Sequence, residues 1–150
     1  MSTAYLELAD YLLIAEAVLQ QPAKTVAEEG DLNLADSALH APQARYAGAD
    51  FYPEFATKAA VLCAHLIKNH PLKDGNVQVA LIATIEFCAR NGYRWTRPAG
   101  DDEGAETAEV MLRLAATPIT DTVVEELGRW IAERIGDGGL ATVPPGISMN

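Results

Sequence analysis

Two apolar helical patterns meet at a break that neither can cross, and this junction dictates how the chain folds. Upstream, Phe55, Ala59, Leu62 and Leu66 form a stripe at steps of four, three and four, in a helix that Pro53 is suited to start. That helix must end near Asn69, because Pro71 pushes the residue before it out of the helical region. Downstream, Asn76 to Asn91 reads as a second helix, stopped by Gly92 in a left-handed conformation. Its apolar residues, from Val77 and Val79 through Leu81, Ile82 and Ile85 to Phe87 and Cys88, go nearly all the way round. Such a helix belongs at the centre of a bundle.

The remaining segments supply its neighbours. Leu6, Ala9, Leu13 and Ala17 recur at helical spacing in a first helix, Tyr5 to Leu19, that ends before Pro22. Gly30 and Asp31-Leu32-Asn33 open a shorter helix over Leu34 to Leu39. Ala41 to Tyr52, with Pro42, Gly48 and two tyrosines, reads as an irregular or hairpin-like connection. After an extended Tyr93-Arg94-Trp95, the acidic turn Gly100 to Gly104 suits the start of a fifth helix ending before Pro118. Thr122, with Glu125 three residues on, predicts a capping box for a sixth, whose apolar side holds Val124, Leu127, Ile131 and Ile135. The expectation is an all-α protein: a compact bundle of about six helices around a buried central helix over residues 1–135, then a flexible Gly- and Pro-rich tail over 136–150.

At 150 residues and 49% hydrophobic content, the chain has material for one core. It contains no run of about 18 uncharged apolar residues that would span a membrane. Met1 to Asp10 has no basic start and apolar stretch of a secretory signal, so a cytoplasmic location without membrane contact is expected. A net charge of −10 with no basic stripe argues against direct contact with nucleic acid. It would favour a partner with a basic segment, although acidity also serves solubility. Cys63 and Cys88 fall within apolar helical patterns and read as small buried hydrophobes. His65 and His70, five residues apart, do not share a helical face, which disfavours a two-His metal site. His40 is isolated, Trp95 and Trp130 read as packing residues, and Ser37 has no His and Asp at an informative spacing.

The chemistry sits in the break itself. A helix that starts after Asp74-Gly75 leaves backbone N–H groups free and adds the partial positive charge of the helix dipole, which makes an anion cradle at Gly75 and Asn76. His70 stands just before it and can take a proton from an incoming hydroxyl at neutral pH. Asp74 can orient that ring or hold a magnesium ion that bridges phosphates. The same Asp-Gly-Asn is also an ordinary turn and N-cap sequence.

His70-Pro71-Leu72-Lys73-Asp74-Gly75-Asn76 resembles the signature loop of the Fic/Doc superfamily, where His, an apolar or aromatic residue, an acid, Gly or Ala, and Asn follow in that order. Ala59 to Asn69, the Ala80 to Gly92 helix with Arg90-Asn91-Gly92-Tyr93, and Ser37-Ala38-Leu39-His40-Ala41-Pro42-Gln43 are similar to the Doc, or "death on curing", branch. The resemblance implies a helical toxin of a toxin–antitoxin system, a kinase that moves a phosphate from ATP to a threonine of elongation factor Tu. Relatives in the superfamily transfer AMP to hydroxyl side chains instead. On that pattern His70 is the general base, Asp74 the magnesium-associated acid, and Gly75 with Asn76 the phosphate cradle, to which Lys73 and Gln78 add donors. Ala41 to Tyr52 falls where the family docks its target through a flap. The implied neutralising partner is a small Phd-like antitoxin, with DNA reached only through it.

The pattern breaks directly after the loop. Doc-type loops continue with Lys-Arg, whereas this chain has Val77-Gln78. Phosphoryl transfer depends on positioning and on neutralising charge on the phosphate oxygens. Gln78 still donates hydrogen bonds, and Lys73 in the loop or Lys68 before His70 would bring charge from another direction, without the planar fork of Arg. The departure leaves open an enzyme of reduced rate, a catalytically silent Fic-fold binding module, and a member whose substrate needs no second cation.

Overall fold

Ala59, Ala60 and Ala64 have no exposed surface, and the helix that carries them, α4 (Phe55–Asn69), is the axis of the fold. Small side chains there let other helices approach on several sides at once, so α4 packs against α3 (Leu32–His40), α5 (Asn76–Arg90), α6 (Ala105–Ala116) and α7 (Asp121–Arg134). α1 (Leu8–Leu19) covers α5 and rests on α2 (Ala23–Glu29). The computed structural model describes residues 2–100 and 104–136. Over these the protein is all-helical apart from a two-stranded hairpin, β1 (Arg45–Tyr46) and β2 (Ala49–Asp50). The tail expected beyond Gly136 lies outside the described residues, as does most of the acidic turn expected between Gly100 and Gly104.

Three expectations are revised. The central helix is α4 and not α5: α5 buries Val79, Ala80, Ala83, Phe87 and Cys88 but leaves Leu81 and Ile85 half-buried and Ile82 exposed. An all-round apolar pattern does not distinguish a core helix from one whose far side walls a groove. α2 had no counterpart, because its seven residues bury one side chain, Val26, and show no stripe. The N-cap of α7 is Thr120, whose Oγ1 accepts from Val123 N–H at 3.1 Å, whereas Thr122 already lies in the first turn. Thr120 is the last extended residue, with φ −130° and ψ 167°, so its hydroxyl is the one in reach.

Other local signals act as expected. Gly92 takes φ +87°, while Tyr93 N–H bonds Cys88 O at 2.9 Å and Gly92 N–H bonds Ala89 O at 3.1 Å, a Schellman ending for α5. The connection after α3 is a hairpin whose turn residues, Ala47 and Gly48, both have positive φ, as the twist of a two-residue turn demands. Asp50 of that hairpin pairs with Arg45 and, at 3.1 Å, with Nζ of Lys58, a residue of α4 only 2% exposed. Cys63 and Cys88 are free and buried, and burial pushes their thiols up, to about 11 and about 12. Among the described residues no helix is long and apolar enough to cross a membrane.

Candidate active site

His70 ends α4 in the left-handed region, at φ 53° and ψ 55°. That conformation costs a non-glycine residue on the order of 1 kcal/mol, so it persists because its neighbours hold it. On one side, Asn69 Nδ2 donates to Leu34 O at 3.0 Å. On the other, Pro71 O accepts from Asp31 N–H at 2.8 Å. Asp31 is also the N-cap of α3, accepting from Asn33 and Leu34, so the start of α3 and the loop share one anchor. Gly30 makes the approach possible: a Cβ there would stand 2.6 Å from Pro71 O.

The bend at Gly75 is equally tight. Gly75 is the N-cap of α5 at φ +79°, and a Cβ on it would meet Leu19 Cδ2 at 2.4 Å. No side chain caps α5. Its first internal bond from this point is Val79 N–H to Gly75 O, which leaves the N–H groups of Asn76, Val77 and Gln78 without a protein acceptor among the described residues. They open on a recess of about 400 Å³ that Ile67, His70, Lys73, Asp74, Gln78 and Ala115 help to line.

The recess brings together all the residues singled out in the loop, in different roles. His70, Lys73, Asp74 and Gln78 are exposed, and none of the four side chains has a hydrogen bond or ion pair among the described residues. Asn76 is buried, and its side chain faces inward: Oδ1 accepts from Leu72 N–H and Nδ2 donates to Leu72 O, both at 2.9 Å. Its contribution to a cradle is therefore its backbone amide, while its side chain fixes the loop. Lys68 is engaged elsewhere, donating to Ala115 O at the end of α6 at 2.8 Å. His65 bonds Val61 O within its own helix. Ala115 has no signal in the sequence, and Gly30 and Asp31 are read there only as the start of a helix. Gly-Asp before a helix signals an N-cap, but nothing local reveals that the same residues receive Pro71.

Among the described residues, no three His, Cys, Asp or Glu side chains converge to hold a metal ion on their own. Among the described residues of the recess wall, Asp74 alone offers a free carboxylate. That donor set fits magnesium, which takes oxygen ligands, keeps several waters and is commonly shared between one carboxylate and phosphate oxygens. Chemically, the site combines an unpartnered imidazole, free helix-start amides and one cation, the elements of an anion site with a base beside it.

Comparison with known proteins finds two matches to this chain. A family model described as "Fic/DOC family" matches residues 5–88, a span that includes the whole loop and most of α5. Toxin Doc of Mycolicibacterium smegmatis is 35% identical over 104 residues, covering 68% of this chain and 77% of the relative. No solved structure matches.

Proposed function

Because the chain belongs to the Fic/DOC family, we propose that it is the toxin of a toxin–antitoxin pair and transfers the terminal phosphate of ATP to a hydroxyl of elongation factor Tu. The observation that carries the reading is the pairing of His70, exposed and unpartnered, with the three open amides at the start of α5. The amides of Asn76, Val77 and Gln78 receive the phosphate oxygens, and Lys73 adds charge from within the loop. His70 takes the proton of the target hydroxyl as its oxygen bonds to the γ-phosphorus. The bond from that phosphorus to the β–γ bridging oxygen breaks, and ADP leaves with the electron pair. Asp74 would hold magnesium, which when bound neutralises charge on the phosphate oxygens. The β1–β2 hairpin, with Tyr46 and Phe51 exposed, is the surface assigned to the target. A Phd-like antitoxin is the neutralising partner, in the cytoplasm.

A second reading is favoured by one specific observation: Val77 and Gln78 stand where Doc-type loops carry Lys-Arg. With both charges absent, the same fold serves as a catalytically silent binding module. Incubation with magnesium, elongation factor Tu and ATP labelled at either the γ- or the α-phosphate separates the cases. Transfer of γ-label that disappears in His70→Ala supports the kinase, whereas transfer of α-label means AMP transfer. No transfer, together with no growth arrest on expression, favours the binding module.

A further inference from the structure

A groove of about 750 Å³ lies between α5 and α6, beside the loop recess, and Val77 and Gln78 line both. Its walls are otherwise mostly apolar, with Leu81, Ile85, Trp95 and Met111 among them. Arg97 is the one charged residue among the described lining. Its Nη1 sits 3.5 Å from the point a Cβ on Gly104 would occupy, so the guanidinium rests against the start of α6.

Three arginines of this acidic chain are committed to carboxylates, whereas Arg94, Arg97, Arg113 and Arg129 are exposed and form no ion pair among the described residues. Arg45, Arg90 and Arg134 each meet a carboxylate. Arg97 is exposed and has no hydrogen bond or ion pair among the described residues, although acidic residues outnumber basic ones by 21 to 11. An exposed arginine on a groove that shares Gln78 with the phosphate recess is placed to meet an anionic ligand.

We infer that Arg97 supplies from across the groove the charge missing at Val77 and Gln78, by binding the phosphate chain of the nucleotide where it leaves the recess past Gln78. This rests on the proposed use of ATP. The planar guanidinium can hold two phosphate oxygens at once, a role Lys73 cannot duplicate with a single ammonium. Gln78, neutral and able to donate, lines both the recess that holds Lys73 and the groove that holds Arg97.

Calorimetric titration of the full chain with ATP and magnesium, and separately with adenosine, tests the assignment. Arg97→Ala and Arg97→Gln should weaken ATP binding by roughly ten- to a hundredfold, the loss expected for a hydrogen bond to a charged group. Both should leave adenosine binding and the melting temperature unchanged. Arg94→Ala, an exposed arginine of the same segment that does not line the groove, should bind ATP like the intact chain. ATP binding untouched in both Arg97 variants, or adenosine weakened as much as ATP, overturns the role of Arg97 and leaves the kinase reading standing. If the intact chain binds no ATP, both fall together.

Discussion

Asn76 and Leu72 are joined twice, Oδ1 to N–H and Nδ2 to O, each at 2.9 Å and both buried. This reciprocal pair closes the Pro71–Gly75 bend from inside, while Asp31 holds Pro71 from outside. The exposed groups on the bend, His70, Lys73 and Asp74, therefore project from a rigid support. The loop obtains its order from a buried amide and leaves its outward face unpaired.

Replacing Asn76 by Ala leaves a buried N–H and a buried C=O on Leu72 without partners. Each such group costs about 1–3 kcal/mol, so a loss of about 2–6 kcal/mol is expected in urea unfolding. Asn76→Asp keeps an acceptor for Leu72 N–H but cannot donate to Leu72 O unless protonated, and should fall between the intact chain and Asn76→Ala at acidic pH. Both variants should lose phosphate transfer to a greater extent than they lose ATP binding, because His70 is no longer positioned.

At Gly75 two penalties are separable. A side chain there must adopt φ +79°, at a cost of about 1–2 kcal/mol, and must also displace Leu19 Cδ2. Gly75→Ala should therefore destabilise the protein by about 2–3 kcal/mol. Adding Leu19→Ala removes the clash but not the backbone strain, so the double variant should be more stable than the sum of the two single losses. Strict additivity in a thermal-unfolding cycle would mean that Leu19 does not constrain the bend.

The break between α4 and α5 was legible in the sequence because Pro71, Gly75 and Gly92 each act through local backbone rules. The thiols of Cys63 and Cys88 were legible as core residues from their helical positions. What stayed hidden depends on tertiary contact. α2 has too few apolar residues to show a period, and the apolar far side of α5 walls a groove without any mark in the pattern. The inward turn of the Asn76 side chain follows from its burial, which the loop pattern does not state. The bond from Asp31 to Pro71 crosses forty residues of chain, and its N-cap sequence predicts only the half of its role that is local.

The raised thiols give a pH dependence. Burial favours the neutral form of Cys63, whose pKa moves from 9.0 to about 11. The unfolded chain ionises first as pH rises, so this contribution is complete below pH 9 and is lost between pH 9 and about 11. The loss attributable to Cys63 is on the order of 2–3 kcal/mol, by the free-energy equivalent of a pKa shift. Guanidinium unfolding of the intact chain and of Cys63→Ala across this range should show a steeper fall for the intact chain. Parallel curves would show that other groups carry the alkaline transition. Neither cysteine should react with a thiol reagent at neutral pH unless the protein is unfolded.

Val77 and Gln78 stand at the two positions where the loop pattern leads one to expect cations. Val77 is half-buried and Gln78 exposed at the open start of α5, and both face the recess and the α5–α6 groove. Arginine at the exposed Gln78 needs no repacking, and lysine at Val77, which packs against the edge of the core, can lay its stem along that apolar surface and keep its ammonium in the recess. If the missing charge limits the reaction, Val77→Lys with Gln78→Arg should raise phosphate transfer by on the order of a hundredfold or more, the scale on which a single electrostatic donor acts in other enzymes. His70→Ala in the same background should abolish the gain, because the added cations stabilise charge but accept no proton. The gain should also shrink with rising ionic strength, since the new charges lie at the surface. Initial rates at saturating ATP decide the matter: a restored variant that stays inert, while still folding and binding ATP, would remove the kinase assignment and leave the loop as a binding surface.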